Sequence, residues 1–191
     1  MIFGIVWTSF RSPSITKRNY DISVAGIHVG NLVATRETDG NFTTYTLSSD
    51  ASIYVLKTYR IKDDLKAVYK NNILQYATVQ STEGKKNYYS TISWNKDHYD
   101  IAINGYKFQY QGSLSIPIDY SVAKIYFEDP PLHGQVFSED YGVFSNITVV
   151  KPHVDQLVFL GKTDKFYYAN GYMVRAEMHS AIKDFIISLQ Q

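Results

Sequence analysis

Hydrophobic and polar residues alternate along most of the chain after residue 18, and Gly or Asn residues interrupt the alternation at short intervals. Tyr20, Ile22 and Val24, for example, fall on one face of the first regular segment, with polar residues on the other. A two-residue period is typical of half-buried β-strands, and frequent turns are typical of antiparallel sheets. The pattern predicts an all-β fold, built as a single curved antiparallel sheet or a half-open β-barrel.

Two dipeptides of the tight-turn type predict where strands reverse. Asp39-Gly40 leads into a strand that begins at Phe42, and Asn170-Gly171 joins residues 165–169 to residues 172–178. Both favour the positive backbone angles that two-residue hairpin turns require. After the second turn, the alternation predicts one shared face for Tyr172, Val174, Ala176 and Met178. A last strand is predicted over residues 185–189, on the same two-residue period.

The most regular hairpin is predicted around the dipeptide Asn104-Gly105. A turn there would pair Ile103 with Tyr106 and Ile101 with Phe108. One face would then carry six large apolar side chains: Tyr99, Ile101, Ile103, Tyr106, Phe108 and Tyr110. Soluble proteins rarely leave such a patch in water. We therefore expect this face to turn toward the concave interior of the sheet.

One short helix is predicted, from Asp119 to Phe127, and Asp129-Pro130-Pro131 would end it. Its apolar side would carry Val122, Ile125 and Tyr126. Together with the irregular stretch that follows it to residue 145, this helix is the natural cover for the hairpin face. An apolar ligand pocket is expected between the two. The predicted ligand-binding residues are Ile101, Phe108, Tyr110 and Tyr126.

Residues 1–14 allow two interpretations. The apolar run Met1 to Phe10 has the length of the hydrophobic part of an export signal, although no Lys or Arg precedes it. It could instead form a first strand. Residues 15–191 contain no linker, fixed-period repeat or low-complexity run, which predicts a single β domain.

Composition and charge narrow the classes of function. Lys plus Arg is 19 and Asp plus Glu is 18, and this near-neutral balance argues against a nucleic-acid binder. Cysteine is absent, which excludes disulfides, thiolate catalysis and cysteine-ligated metal sites. No apolar run is long enough to predict a transmembrane span. Aromatic residues make up 15% of the chain, and their apolar rings with polar tips suit a concave face that meets an apolar partner.

Motifs that carry catalysis are absent. The histidines lack metal-ligand spacing, and neither a nucleophile elbow nor a glycine-rich phosphate loop is present. We therefore predict no catalytic residues, no metal and no cofactor. One alternative stays open, because polar residues of the irregular 128–153 region could converge as a hydrolase site. These residues are Glu128, His133, Glu139 and Asp140, and His153 lies in the same irregular region.

Three groups of residues carry a resemblance to a known set of proteins. They are Tyr20-Asp21-Ile22-x-Val24-x-Gly26-Ile27-x-Val29-Gly30, then Tyr126-Phe127-Glu128-Asp129-Pro130 with Phe137-Ser138-Glu139-x-Tyr141-Gly142, and Tyr167-Tyr168-x-Asn170-Gly171. Across residues 18–178 the chain resembles exported bacterial proteins of unknown function, common in the Bacteroidetes, that are built as a curved antiparallel sheet. It is more distantly similar to the half-open barrels of bacterial lipoprotein carriers, but lacks their helices. The resemblance implies no catalytic residues.

The preferred interpretation is a non-enzymatic exported protein, periplasmic or secreted. It would bind an apolar or amphipathic ligand, such as a lipid, or a protein partner at the cell envelope. The first alternative is a structural or interaction protein that acts through its open sheet edges. The second is the hydrolase that uses the 128–153 region.

Overall fold

The computed structural model describes residues 12–55, 57–106, 108–131, 134–179 and 184–191. In chain order its elements are β1 (Ser14–Val24), β2 (Ile27–Asp39), β3 (Phe42–Val55), β4 (Lys57–Lys70), β5 (Ile73–Glu83), β6 (Lys86–Asn95), β7 (His98–Gly105), β8 (Phe108–Leu114), α1 (Val122–Ile125), β9 (Gln135–Ser138), β10 (Val143–Asn146), β11 (Thr148–Lys151), β12 (Val154–Phe159), β13 (Lys162–Ala169), β14 (Tyr172–Met178) and β15 (Phe185–Leu189). Most of the export-signal or first-strand segment predicted at residues 1–14 lies outside the described residues.

Thirteen of these strands form one curved, open antiparallel sheet, and this confirms the predicted fold class. The order across the sheet is β11-β12-β13-β14-β15-β1-β2-β3-β4-β5-β6-β7-β8. The first and last strands of the chain are therefore neighbours, because β15 pairs with β1. The free edges are β8 and β11. No helix in the described ranges has the length and apolar character needed to cross a membrane.

Residues 115–131 and 134–147, which we call the plug segment, lie between the β8 edge and the β11 edge and cover the concave face. Helix α1 packs against β3, β4 and β9, and the β9–β10 hairpin reaches β12. The side chains of this segment with no exposed surface include Ile118, Ala123, Ile125, Val136 and Phe137. The interior of the half-barrel is thus occupied by side chains of the same chain, as apolar faces of sheets require.

Buried tyrosines hold the plug segment in place. Tyr20 donates a hydrogen bond to the carbonyl oxygen of Tyr126 (3.3 Å), and Tyr69 donates to the Ser121 hydroxyl (2.6 Å). Tyr99 accepts a bond from the amide of Ile118 (3.1 Å). All three are almost completely enclosed. The apolar ring of a tyrosine packs in the core, while the hydroxyl at its tip hydrogen-bonds polar groups of an irregular segment. Part of the tyrosine excess therefore has a structural role.

The hairpin predicted around Asn104-Gly105 has a different register. Gly105 pairs with Phe108 and Ile103 with Tyr110, so the turn lies two residues later than predicted. The ladder extends to Leu114, and a β-carbon at Gly112 would collide with the Tyr110 ring, which covers this glycine. This longer pairing outweighs the local preference for an Asn-Gly turn. Because the shift is an even number of residues, the side chains that remain in the two strands keep their predicted face, whereas Tyr106 lies in the turn.

Three other predictions need correction, and two are confirmed. The helix is four residues long, and Ser121, not Asp119, occupies the N-cap position. In β14 a register shift opposite Tyr167 and Tyr168 breaks the alternation, so that Met173 and Ala176 are both buried. The hairpin predicted at Asp39-Gly40 is present, but its turn lies one residue later, at residues 40–41. The hairpin predicted at Asn170-Gly171 and the last strand are present as predicted.

Candidate functional site

The candidate site is a groove where strand β15 stops short of its neighbours. β15 pairs with β1 over Tyr20–Ser23, whereas β1 begins at Ser14. The space beyond the end of β15 forms a groove of about 420 Å³. The lining residues are Thr16, Lys17, Arg18, Asn19, Tyr172, Leu189, Gln190 and Gln191. We call this region the arginine groove.

Arg18 projects from β1 toward the concave side, in the same alternation as Tyr20, and is half-buried. Its Nη1 atom is buried and has no hydrogen-bond partner. The guanidinium carbon lies 4.2 Å from the ring centroid of Tyr172 and 5.1 Å from that of Phe127. These aromatic contacts fix the plane of the guanidinium without using its N–H donors. The guanidinium, whose Nη1 donor has no partner, is thus held in place at a residue that lines the groove.

A second cation lies near the first. The guanidinium of Arg36, on β2, is 5.6 Å from the centroid of the same Phe127 ring. Within the described ranges no carboxylate forms an ion pair with Arg18 or Arg36. The nearby carboxylate of Glu128 instead accepts a hydrogen bond from Tyr45 (3.3 Å). Burial, followed by the charge of Glu128, raises the pKa of Tyr45, which therefore stays protonated as the donor. The region keeps an excess of positive charge.

Carboxylates collect at the opposite ends of the strands. In an antiparallel sheet alternate turns lie at opposite ends, and the start of β13 and the end of β5 lie away from the arginine groove. Loss of solvation raises the pKa of four carboxyl groups there, namely Asp63, Glu83, Asp140 and Asp164. Asp140 keeps an exposed surface, so we expect a smaller rise there than in an enclosed carboxyl. We call these four residues the carboxylate cluster. No group of His, Asp or Glu among the described residues is arranged to hold a metal ion.

The four residues predicted to contact a ligand do not form one lining. Ile101 is buried beside Gly142, and Phe108 contacts the Tyr141 ring at 6.2 Å. Tyr126 is also buried, but packs edge-on against Tyr20 at 5.5 Å. Tyr110 is 39% exposed. The turn at residues 141–142, and not the helix, thus covers the inward face of the hairpin. A role in ligand binding for these four residues stays a prediction.

The residues of the hydrolase alternative lie in separate environments. Glu139 is fully buried, accepts hydrogen bonds from Ser121 (2.5 Å) and from the amide of Ala123 (3.3 Å), and has one oxygen without a partner. Burial raises its pKa to about 7. His153 is exposed, 4.0 Å from Asp129. No hydrogen bond or ion pair between described residues joins Glu128, Glu139 and Asp140, and His133 lies outside the described residues.

Sequence reasoning missed Arg18 and Tyr172 as a pair. The available signal was a charged residue in the inward phase of a strand, since Arg18 precedes Tyr20, Ile22 and Val24 at two-residue spacing. A long charged side chain in that phase must reach the solvent or find a partner. Its aromatic partner Tyr172 is distant in the sequence, and only the pairing of β15 between β1 and β14 brings the two together.

Comparison with known proteins gives a family and a fold. A family described as a domain of unknown function (DUF6134) matches residues 20–190. In structure the chain is similar to a beta-barrel-like protein of the domain of unknown function DUF1849 from Brucella abortus, with a TM-score of 0.56 and 8% identity. The match covers 92% of this chain and 95% of that one. At this identity the similarity concerns the fold alone. No curated protein matches the chain in sequence.

Proposed function

The chain belongs to the DUF6134 family, whose function is unknown. We propose, from the arginine groove, that the protein is a non-enzymatic binding protein for an amphipathic ligand with an anionic headgroup. The observation that carries this proposal is Arg18, which lines a groove of about 420 Å³ and has a buried Nη1 atom without a hydrogen-bond partner. A buried donor without a partner costs about 1–3 kcal/mol, and an anion that enters beside Arg18 and reaches Nη1 would remove that cost.

The headgroup is expected to be a carboxylate or a phosphate. Both present paired oxygens that match the fork of a guanidinium, and such charge-assisted pairs are stronger than neutral hydrogen bonds. Tyr172 and Phe127 hold the fork in position, so little side-chain entropy is lost on binding. Arg36 adds a second positive charge next to the same ring.

The apolar part of the ligand would lie against the ring of Tyr172 and the half-buried Leu189, both of which line the groove. Small-molecule sites span roughly 300–1,000 Å³, so this groove suits a headgroup and the first part of an apolar chain. The plug segment fills the concave face, and therefore the proposal places the ligand at the arginine groove and not inside the half-barrel.

Decanoate and decyltrimethylammonium, used as anionic and cationic probes with alkyl chains of similar length, test this function by isothermal titration calorimetry. The protein should bind decanoate and not the cationic probe. Arg18→Gln should weaken decanoate binding by about tenfold or more, since hydrogen bonds to charged groups contribute roughly 1.5–3 kcal/mol. Lys66→Gln is the matched control, because it removes a positive charge from an exposed position of β4 that does not line the groove. Equal losses in both variants, or equal binding of the two probes, would contradict the proposal.

The compartment is part of the proposal. We place the protein in the periplasm or outside the cell, on the strength of the apolar run at Met1 to Phe10. Fractionation of the native host, with detection of the endogenous protein, should find it outside the cytoplasm. Native mass spectrometry of that material should then show a bound molecule with the mass of a lipid. The Arg18→Gln variant should lack this bound molecule. A protein recovered only from the cytoplasm would remove the envelope part of the proposal and leave the groove itself testable.

A further inference from the structure

Strand β8 is a free edge of the sheet. Gly105 and Phe108 form the closing pair of the β7–β8 hairpin, so Phe108, Tyr110 and Gly112 direct their backbone groups toward β7. The N–H and C=O groups of Gln109, Gln111 and Ser113 therefore point away from the sheet. None of the described residues takes a backbone hydrogen bond from these three. The side chains of the three are also exposed.

This edge carries none of the usual protection. The strand reads FQYQGSL, without Lys, Arg, Asp, Glu or Pro, and its pairing with β7 has no register shift. Natural sheets normally protect an exposed edge with charge, proline or a bulge. The other edge follows that rule, since β11 has four residues, ends at Lys151 and has an irregular register with β12. The difference between the two edges indicates that β8 pairs with another strand.

We propose that β8 is a homodimer interface, in which it pairs antiparallel with β8 of a second copy around a two-fold axis at Gln111. Gln111 would face Gln111 of the second copy, and Gln109 would face Ser113 of the second copy. Each of these pairs exchanges two backbone hydrogen bonds, since their groups point away from β7 in both copies. The interface is isologous, as two-fold symmetry requires.

The side chains of β8 are complementary to a reversed copy of themselves. On the inward face the large Tyr110 would lie opposite Gly112 of the second copy, and Phe108 opposite Leu114 of the second copy. Tyr110, now 39% exposed, would become covered by the inward residues of the second copy. No charges of like sign meet, because the strand has none. A seven-residue strand pair buries little area, so the dimer should be weak and depend on concentration.

Sedimentation velocity over a wide range of concentrations tests the interface. The wild-type chain should pass from monomer to dimer as concentration rises. Gln111→Lys should abolish this change, because it places two like charges opposite each other at the two-fold axis. Gln80→Lys, the same change at an exposed position of the central strand β5, should leave the dimer intact.

A cross-linking variant gives a second readout that does not depend on dimer strength. The chain has no cysteine, so Gln111→Cys introduces a single thiol at the proposed axis. Directly opposite residues of an antiparallel pair lie about 5.5 Å apart at Cα, within the range that a disulfide spans. Mild oxidation should yield a covalent dimer of Gln111→Cys much faster than of Gln80→Cys. A wild-type protein that stays monomeric with equal rates for the two cysteines would overturn the proposal, and so would a dimer that persists in Gln111→Lys.

Discussion

The arginine groove and the carboxylate cluster leave charge unpaired in opposite ways. At the groove, Arg18 and Arg36 lie on aromatic rings and have no carboxylate partner among the described residues. In the cluster, loss of solvation raises the pKa of the carboxyl groups, and the charge of Asp63 raises it further at Glu83 and Asp140, with Lys162 as a nearby cation. A carboxyl group can relieve this by taking up a proton, whereas an arginine cannot lose one. The cluster is thus suited to respond to pH, and the groove to bind an anion.

The plug segment contributes Phe127 to the groove and Asp140 to the cluster, and loosening it is the most drastic test of the comparison. Phe137 has no exposed surface and packs against the Phe144 ring at 5.3 Å. Phe137→Ala should lower the free energy of unfolding by about 3–5 kcal/mol, because it removes a buried ring and leaves a cavity. Urea unfolding followed by tyrosine fluorescence measures the loss. Phe42→Ala is the control, since Phe42 is 43% exposed, and an equal loss there would show that Phe137 is not a core residue.

Glu139 should make the stability of the whole protein depend on pH. Burial raises its pKa from 4.5 to about 7, so the folded state holds its proton more tightly than the unfolded chain does. Stability is then full below about pH 4.5, falls as pH rises toward about 7, and is level above that. The total loss is roughly 3 kcal/mol, at 1.36 kcal/mol for each unit of pKa.

Glu139→Gln should remove the part of this dependence that Glu139 contributes. The amide oxygen can still accept the hydrogen bonds from Ser121 and Ala123, and the amide has no charge to bury. The variant should match the wild type at about pH 4.5 and be more stable by roughly 3 kcal/mol at about pH 8. Urea unfolding at the two pH values measures this, with Glu37→Gln as the exposed control on β2. A stability difference that is the same at both pH values would show that Glu139 does not titrate as described.

Ligand binding should depend on whether the side chain at position 18 carries a guanidinium or an ammonium group. Arg18→Lys keeps the positive charge but loses the planar fork and most of the stacking on Tyr172. Decanoate binding should weaken by about threefold to tenfold, less than in Arg18→Gln, since one charged contact remains. Calorimetry with both variants gives the ranking. If Arg18→Lys bound decanoate as well as the wild type, charge alone would account for binding, and the fork would have no role.

Much of the fold could be predicted from the sequence, because alternation and tight-turn dipeptides are local signals. They identified the antiparallel sheet, the hairpins around residues 39–40 and 170–171, and residues 119–145 as the segment that covers the concave face. The register of β7 with β8 could not be found in this way. It depends on how Tyr110 covers Gly112 and on pairing that continues to Leu114, which an Asn-Gly turn signal does not contain.

The candidate site was less accessible to sequence reasoning, because its parts come from distant strands. Arg18, Phe127 and Tyr172 meet only after β15 has paired beside β1 and the plug segment has crossed the sheet. The aromatic excess pointed to ligand contacts, yet Tyr20, Tyr69 and Tyr99 anchor the plug segment. Composition gives only the number of tyrosines. Three-dimensional packing is needed to tell the tyrosines that anchor the plug segment from those that could bind a ligand.

The smallest expected effect is the sharpest test of the comparison between the groove and the carboxylate cluster. The affinity for decanoate should not change between about pH 6 and pH 8, although the free energy of unfolding does. Decanoate and Arg18 both keep their charge over this range. The charges that shift the pKa of Asp140 are those of Asp63 and Lys162, and neither arginine of the groove contributes. Charges further apart than about 8 Å are largely screened at physiological ionic strength. Calorimetry at the two pH values, repeated with Asp140→Asn, should therefore give one affinity. Binding that strengthens as pH falls, and loses that dependence in Asp140→Asn, would show that the carboxylate cluster and the groove form one coupled site.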